Sequence, residues 1–376
     1  MSAQTPSAGD GRPRIAHVGP APDRPGGIAA VMRGMLDSPL AERYALDLIV
    51  TYTTRDRLRR ATVFAGSLWR LARWCRGDGD RLVHIHTAVR GSIYRKAVCV
   101  AVARLAGRPV LLQLHAGAGD IDAFAARLGP VRRALLGWAL RAADAVVSVS
   151  GPGARRIEEN FGATDVVVIP NAAPPVDETA TVAAVPSNAN GARWRVLYMG
   201  GFVNPAKGGA VLVEALPDLL DACPGAEIVF AGTGEPPEDL VELARRRDDV
   251  TWAGWLDREA KAEQLSRCDV FVMPSLSEGM PIALLEAMAY GRAIVASDVG
   301  GIPDVVADGA QAILVPPADP PALTAAVARA VADAGLRERL GEAAGVRAAD
   351  FEASAVYDRL AAVYDRLLAA SAEAHR

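Results

Sequence analysis

Short runs of aliphatic and β-branched residues recur along this chain. Between them lie longer stretches whose apolar positions fall three and four residues apart. In the first half, RIAHVG, YALDLIVTY, LVHIHT, PVLLQLH, AVVSVS and DVVVIP read as strands. GIAAVMRGML, GSIYRKAVCVAVARLAG and GPVRRALLGWALRAA read as helices. Strand runs with little polar alternation are those of a parallel sheet covered on both faces, and regular strand–helix alternation supplies the covering helices. NAAPPVDETATVAAVPSNANGAR carries neither period and is rich in Pro, Ala and Asn, as a linker is. A second alternation follows, with WRVLYMG, AEIVFAG, VTWAG, VFVMPS, AIVAS and AILVP as strands. The predicted organisation is a disordered tail over 1–13, a doubly wound domain over 14–174, a linker over 175–193, a second doubly wound domain over 194–345, and a C-terminal helical segment over 346–376.

The 376 residues and 51% hydrophobic content suffice for two cores of this kind. No run of eighteen apolar residues occurs, so a transmembrane span is not expected. The N-terminus lacks the apolar core of a signal peptide. Cys75, Cys99, Cys223 and Cys268 are scattered and form no CxxC pair, which fits reduced core thiols of a cytoplasmic protein. The net charge of -3 conceals an asymmetry: residues 1–174 hold 24 Lys and Arg against 14 Asp and Glu, and the remainder holds 17 against 30. A basic half suits a phosphorylated acceptor or the anionic inner face of a membrane. Residues 57–76 sharpen the second option, because Trp69, Arg70, Arg73 and Trp74 punctuate a helix whose Phe64, Leu68, Leu71 and Cys75 form a core-facing stripe. No nucleic-acid recognition module is present.

The most chemically informative stretch is SEGMPIALLEAMAYG. Pro281 suits a first helical position, which leaves the N–H groups of Ile282, Ala283 and Leu284 pointing out of a helix start and able to hold an anion. Glu278 precedes that start and Glu286 lies in the second turn. Carboxylates accept hydrogen bonds from sugar hydroxyls. A sugar on one side of a phosphate and a ribose on the other make a nucleotide-sugar.

Taken with the following SDVGGIPDVVADG, this string resembles the Glu-x(7)-Glu motif of the family-4 retaining glycosyltransferases. The resemblance implies a GT-B fold, in which two Rossmann-like domains face each other across a cleft and the last helix crosses back to the first domain. It implies that Glu278 binds donor-sugar hydroxyls, that Gly279 and Met280 at the helix start hold the diphosphate, and that Glu286 binds the ribose. His115, at the end of PVLLQLH, takes the place of a histidine that contacts the donor sugar. Gly26 and Gly27 take that of a double-glycine loop near the diphosphate and acceptor. Gly234 and Gly254 stand where backbone approaches the nucleotide.

Lys207 in GGFVNPAKGG matches the lysine of the family's Gly-Arg-x(4)-Lys-Gly pattern, a counter-charge for a leaving diphosphate. Phe202 stands at the arginine position, so one cation is missing, with Asn204 or a first-domain arginine as possible replacements. His86, Arg90, Arg95 and Lys96, at the end of LVHIHT and just after it, are candidate acceptor contacts at an open sheet edge. No His/Cys cluster reads as a metal site, and the Asp-x-Asp-like pairs near Asp78 and Asp120 read as turns.

The expected activity is transfer of a hexose-type sugar from a UDP- or GDP-sugar, with no further cofactor, to a hydroxyl of a saccharide, a lipid-linked saccharide or a natural product. In the resembled family the acceptor attacks from the face that the diphosphate leaves. Two alternatives stay open: a nucleotide-sugar-binding protein without turnover, and a sugar-nucleotide epimerase on the same architecture.

Overall fold

The computed structural model describes residues 11–23, 26–52, 57–89, 91–174 and 194–374. Residues 1–10 of the tail and 175–193 of the linker lie outside the described residues, as does Arg90. Arg12, placed by its sequence in the tail, is anchored: its guanidinium donates to the carbonyls of Ala41 at 2.8 Å and Glu42 at 3.1 Å.

Every apolar run named above becomes a strand. The first unit holds β1 (Arg14–Pro20), β2 (Ala45–Tyr52), β3 (Arg81–Thr87), β4 (Val110–Leu114), β5 (Ala145–Ser148) and β6 (Val166–Val168). They form a parallel six-stranded sheet in the order β2-β1-β3-β4-β5-β6. Its core is aliphatic, with Val83, Ile85, Val110 and Leu112 from the strands packed against Leu71, Ile93, Leu136 and Ile157 from the helices. Each fully buried Val, Leu or Ile side chain stabilises the fold by about 1.5–3 kcal/mol.

The chain divides into two compact units, Met1–Ala172 with Ala353–Arg376, and Ala173–Glu352. The expected C-terminal segment from 346 is therefore split. Residues 346–348 finish the helix Ala334–Ala348, a 3-10 turn covers Ala349–Phe351, and a separate helix runs over Ala353–Ala374. That last helix buries Val356, Tyr357, Leu360, Ala361, Tyr364 and Leu368, a three-and-four-spaced stripe belonging to the first unit.

In the second unit β7 (Trp194–Tyr198), β8 (Ala226–Ala231), β9 (Val250–Gly254), β10 (Val270–Met273), β11 (Ala293–Ser297) and β12 (Ile313–Val315) form another parallel sheet. Its order is β12-β11-β10-β7-β8-β9. Counted within the unit, this is the 3-2-1-4-5-6 order of a Rossmann domain, and strand order reverses between β7 and β10. In the first sheet the reversal lies between β1 and β3. Ligands of open α/β sheets bind outside the carboxyl ends of the strands at such points. The loops that matter are thus those after β7 and β10, and those after β1 and β3. Among the described residues no helix is long and apolar enough to cross a membrane.

Candidate active site

In the second unit two loops leave the sheet side by side at the switch point. The loop after β7 turns through a 3-10 helix, Pro205–Lys207, capped by the Asn204 side chain, which accepts the Ala206 N–H. The Tyr198 hydroxyl donates to the carbonyl of Gly201 at 2.9 Å and reaches that of Lys207 at 3.3 Å, tying both ends of the loop to the strand end. The Leu276 N–H donates to Ala206 O at 2.8 Å, joining the loop after β10 to this turn.

These backbone links bring two charges together. Lys207 Nζ donates to both carboxylate oxygens of Glu278, at 2.9 and 3.0 Å, and the Ser275 hydroxyl donates to Oε1 at 2.9 Å. Glu278 is 6% exposed, whereas the Lys207 side chain is 34% exposed, so the lysine forms the accessible side of the pair. A buried carboxylate needs a charge partner and hydrogen bonds to offset the hydration it has lost, and Lys207 and Ser275 supply them.

Two glycines hold the Glu278 loop from either end. Gly208, at φ +73, leaves room for Pro274 O, which a Cβ would meet at 1.7 Å. Gly300, at φ +58, leaves room for Glu278 O, which a Cβ would meet at 1.9 Å. Close backbone approach is what these positions require.

The helix after the loop runs over Ile282–Ala289. Pro281 is its N-cap, with ψ 122, and not the first helical residue as its sequence position suggests. The Leu284 N–H donates to Pro281 O at 3.1 Å, so the outward-facing donors expected at Ile282, Ala283 and Leu284 do not include Leu284. Gly279 is half-buried and Met280 buried in front of this start. Glu286 is buried and ion-paired with Lys261 of the helix Arg258–Arg267. Burial raises the Glu286 pKa above the usual carboxylate value, and Lys261 pulls it back. Sequence reading missed Lys261, since nothing local marks a partner on another helix.

Gly234 lies in the loop after β8, and Gly254 is the last residue of β9. A Cβ at Gly234 would strike the Val203 amide at 2.7 Å, so the protein's own backbone packs closely there. Gly254, at φ +67, has nothing within 4 Å of its Cβ position and accepts the Gly232 N–H at 2.8 Å. Phe202, in place of a cation, packs on Phe230 and Trp252, with ring centroids 6.3 and 5.5 Å away. Asn204 has its side-chain oxygen committed to the turn.

In the first unit Gly26, at φ +142, precedes the helix Gly27–Leu36, and neither Gly26 nor Gly27 has an atom within 4 Å of its Cβ position. His115 follows β4, and its N–H donates to Thr87 O at 2.8 Å. His86 and Lys96, expected at an open acceptor edge, are 1% and 2% exposed. His86 sits between two other histidines, with ring nitrogens 3.0 Å from His17 and 3.2 Å from His115. Lys96 donates to Val18 O at 3.0 Å and to the Thr51 hydroxyl at 2.6 Å, a buried ammonium whose pKa burial lowers to about 8. Its long aliphatic stem makes that burial tolerable once the head is satisfied. Arg95 is half-buried in the helix Gly91–Leu105. Asp120 lies in the helix Ala118–Ala126 and not in a turn.

Burial holds His17 and His115 near a pKa of about 4, and His84 and His86 well below 6.5. Their folded form is neutral, while the unfolded chain takes up protons below about pH 6.5. Stability should therefore be full above that pH and fall as pH drops toward 4, by up to about 3 kcal/mol for His17 alone. Urea unfolding across this range measures it, and a flat profile would contradict the burial.

Two family models match the chain in succession: Glycosyltransferase Family 4 over residues 31–175 and Glycosyl transferases group 1 over 193–333. An alpha-D-kanosaminyltransferase of Streptomyces kanamyceticus is 36% identical over 172 residues, covering 45% of this chain and 44% of that protein. A phosphatidyl-myo-inositol mannosyltransferase of Mycobacterium tuberculosis is 30% identical over 254 residues, 66% of this chain and 62% of that protein. The matches thus span less than two thirds of these relatives' lengths. Among solved structures, sucrose-phosphate synthase from Thermosynechococcus elongatus superposes with a TM-score of 0.76 at 22% identity, covering 96% of this chain and all of that one. Anabaena HepE in complex with UDP-glucose gives 0.69 at 18% identity, over 94% and 99% of the two chains. At these identities the structural matches establish the fold.

Proposed function

Because the chain belongs to the family-4, group 1 glycosyltransferases of the GT-B fold, we propose that it is a retaining glycosyltransferase. It moves a hexose-type sugar from a UDP- or GDP-sugar to a hydroxyl of a saccharide, a lipid-linked saccharide or a natural-product acceptor. The observation that carries this reading is the Lys207–Glu278 pair at the switch point of the second sheet, one loop ahead of the helix Ile282–Ala289. A cation and a helix start attract a diphosphate, and a buried carboxylate beside them accepts hydrogen bonds from sugar hydroxyls. The named activities of the kanosaminyl- and mannosyltransferase relatives point the same way.

In the proposed step Lys207 and the helix start take up the charge that develops on the departing phosphate, so the step is metal-independent. Glu278 holds the donor sugar, and His115 orients it. Glu286, ion-paired with Lys261, accepts from the ribose hydroxyls. The acceptor hydroxyl attacks from the face the diphosphate leaves, and a leaving oxygen takes its proton. Positioning and charge stabilisation supply the acceleration. The test is product formation from UDP- and GDP-sugars over a panel of hydroxyl acceptors. Binding without turnover would instead support a nucleotide-sugar-binding protein, the reading that Phe202 favours, since its ring is committed to the core.

Glu286→Ala should weaken donor binding roughly 10- to 150-fold, through loss of hydrogen bonds to a charged acceptor worth about 1.5–3 kcal/mol. The donor KM should rise with little change in kcat. An unaltered KM would remove Glu286 from the ribose.

For the location we propose the cytoplasm, with the first unit resting on the inner membrane face. On the helix Arg57–Cys75, Trp69 is 63% exposed with the Arg73 guanidinium 5.6 Å from its ring centroid, and Arg70 is exposed nearby. Trp74 is excluded from this contact, because its indole N–H donates to Asp47 at 2.8 Å. Co-sedimentation with anionic liposomes should be strong at low salt and lost at high salt. No binding at low salt would favour a soluble acceptor.

A further inference from the structure

Four of the chain's five histidines gather where β1, β3 and β4 lie side by side. His17 on β1 is in register with His84 on β3, and His86 lies two residues further along the same face of β3. His115 follows the end of β4. Three of them form a row of ring-to-ring hydrogen bonds: His17 Nδ1 to His86 Nε2 at 3.0 Å, and His86 Nδ1 to His115 Nε2 at 3.2 Å. His84 stands beside the row, with its Nδ1 2.7 Å from the Tyr364 hydroxyl.

We propose that His86, seated on His17, is a positioning residue that imposes one hydrogen-bond polarity on His115, fixing it as the Nδ1–H tautomer and turning that N–H, not Nε2, to the substrate. The role of His115 toward the donor sugar rests on the glycosyltransferase reading above; the tautomer does not.

The polarity follows from the inner end of the row. All four rings are neutral, so each carries one N–H and one lone pair. His17 Nε2 is buried with no partner. An orphaned buried N–H is rarer and costlier than an orphaned lone pair. His17 therefore carries its proton on Nδ1 and donates it to His86 Nε2. His86 must then carry its proton on Nδ1 and donate it to His115 Nε2, which leaves the His115 proton on Nδ1. Reversing the row would bury the His17 Nε2–H without an acceptor.

His84 takes no part in the row: its Nδ1 shares a hydrogen bond with the Tyr364 hydroxyl on the last helix.

One ring nitrogen from each of His17, His84 and His86 lies within 4.8 Å of the others, a spacing open to a metal ion. The surroundings oppose a dication. The titratable groups that bear on these rings are Lys96, which acts on His86, and the other imidazoles, with no carboxylate among the described residues. A second buried cation beside the Lys96 ammonium is electrostatically unfavourable.

The test is a two-bond proton–nitrogen correlation spectrum of the full chain labelled with 15N-histidine, near neutral pH, with single-histidine variants assigning the signals. The expected result is Nδ1–H for His17, His86 and His115. His86→Phe should release His115 into a mixture of tautomers and lower kcat roughly tenfold or more, with the donor KM nearly unchanged. His86→Asn, whose amide can donate to His115 Nε2, should restore the Nδ1–H signal, and His17→Phe should leave it in place, because His86 Nε2 is then the orphaned buried nitrogen. An Nε2–H signal at His115 in the unmodified chain would overturn the proposal, as would a His115 signal indifferent to His86→Phe. Stoichiometric uptake of Zn2+ that displaces the ring N–H signals would overturn it as well. If the spectra match while no donor and acceptor pair is turned over, the relay stands and the glycosyltransferase reading fails.

Discussion

Lys207→Ala is expected to lower turnover by about 2–4 kcal/mol in transition-state stabilisation, roughly 30- to 1,000-fold in kcat. The loss has two parts. The departing diphosphate loses the cation that meets its developing charge, and Phe202, packed among Phe230 and Trp252, leaves no arginine at the matching position to share the load. The Glu278 carboxylate, 6% exposed, also loses its charge partner and keeps only the Ser275 hydroxyl among its named contacts. Lys207→Ala/Glu278→Gln separates the parts. If stranding of Glu278 dominates, the double variant recovers activity relative to Lys207→Ala alone; if the diphosphate contact dominates, it does not. Steady-state rates at saturating donor are the readout. An unchanged kcat in Lys207→Ala would make the lysine a surface residue that merely covers Glu278.

Gly300→Ala is expected to be at least as damaging while removing no polar group. The residue sits at φ +58, and a Cβ there would lie 1.9 Å from Glu278 O. A left-handed non-glycine residue costs about 1–2 kcal/mol, and forced movement of packed backbone a further 1–3 kcal/mol. Together these give about 2–5 kcal/mol, divided between global stability and displacement of the Glu278 loop. Thermal unfolding and activity should both fall. Ala substitution at Gly27, where nothing lies within 4 Å of the Cβ position and no positive φ is required, should change stability far less. Equal tolerance at the two sites would contradict the packing described around Glu278.

The strands were legible because parallel strands buried on both faces are nearly continuous apolar runs, and β3, β4, β7 and β10 stand out as such. The pattern does not specify which strands are neighbours. The adjacency of β7 and β10 sets the Lys207 and Glu278 loops side by side, and it emerges only with the sheet order. Within the site, the motif pointed to Glu278 and Glu286 but to neither ion-pair partner, since Lys207 and Lys261 lie 71 and 25 residues away from them. His17 was missed for the same reason: its place beside His84 is a matter of strand register, whereas the His84–His86 spacing was visible. Lys96 and His86 show the opposite error. Their polarity suggested an open edge, yet a lysine stem packs as an apolar chain and its head finds Val18 O and the Thr51 hydroxyl. At Gly234 the glycine marks a close backbone approach, by Val203.

The central claim is that the second unit grips a nucleoside diphosphate between Lys207 and the start of the helix Ile282–Ala289, with Glu286 on the ribose. A crystal structure of the full chain with UDP or GDP tests it most directly. The expected complex has β-phosphate oxygens within hydrogen-bond distance of Lys207 Nζ and both ribose hydroxyls donating to the Glu286 carboxylate. A nucleotide bound elsewhere, or bound with Lys207 still closed on Glu278 and the ribose turned away from Glu286, would contradict it.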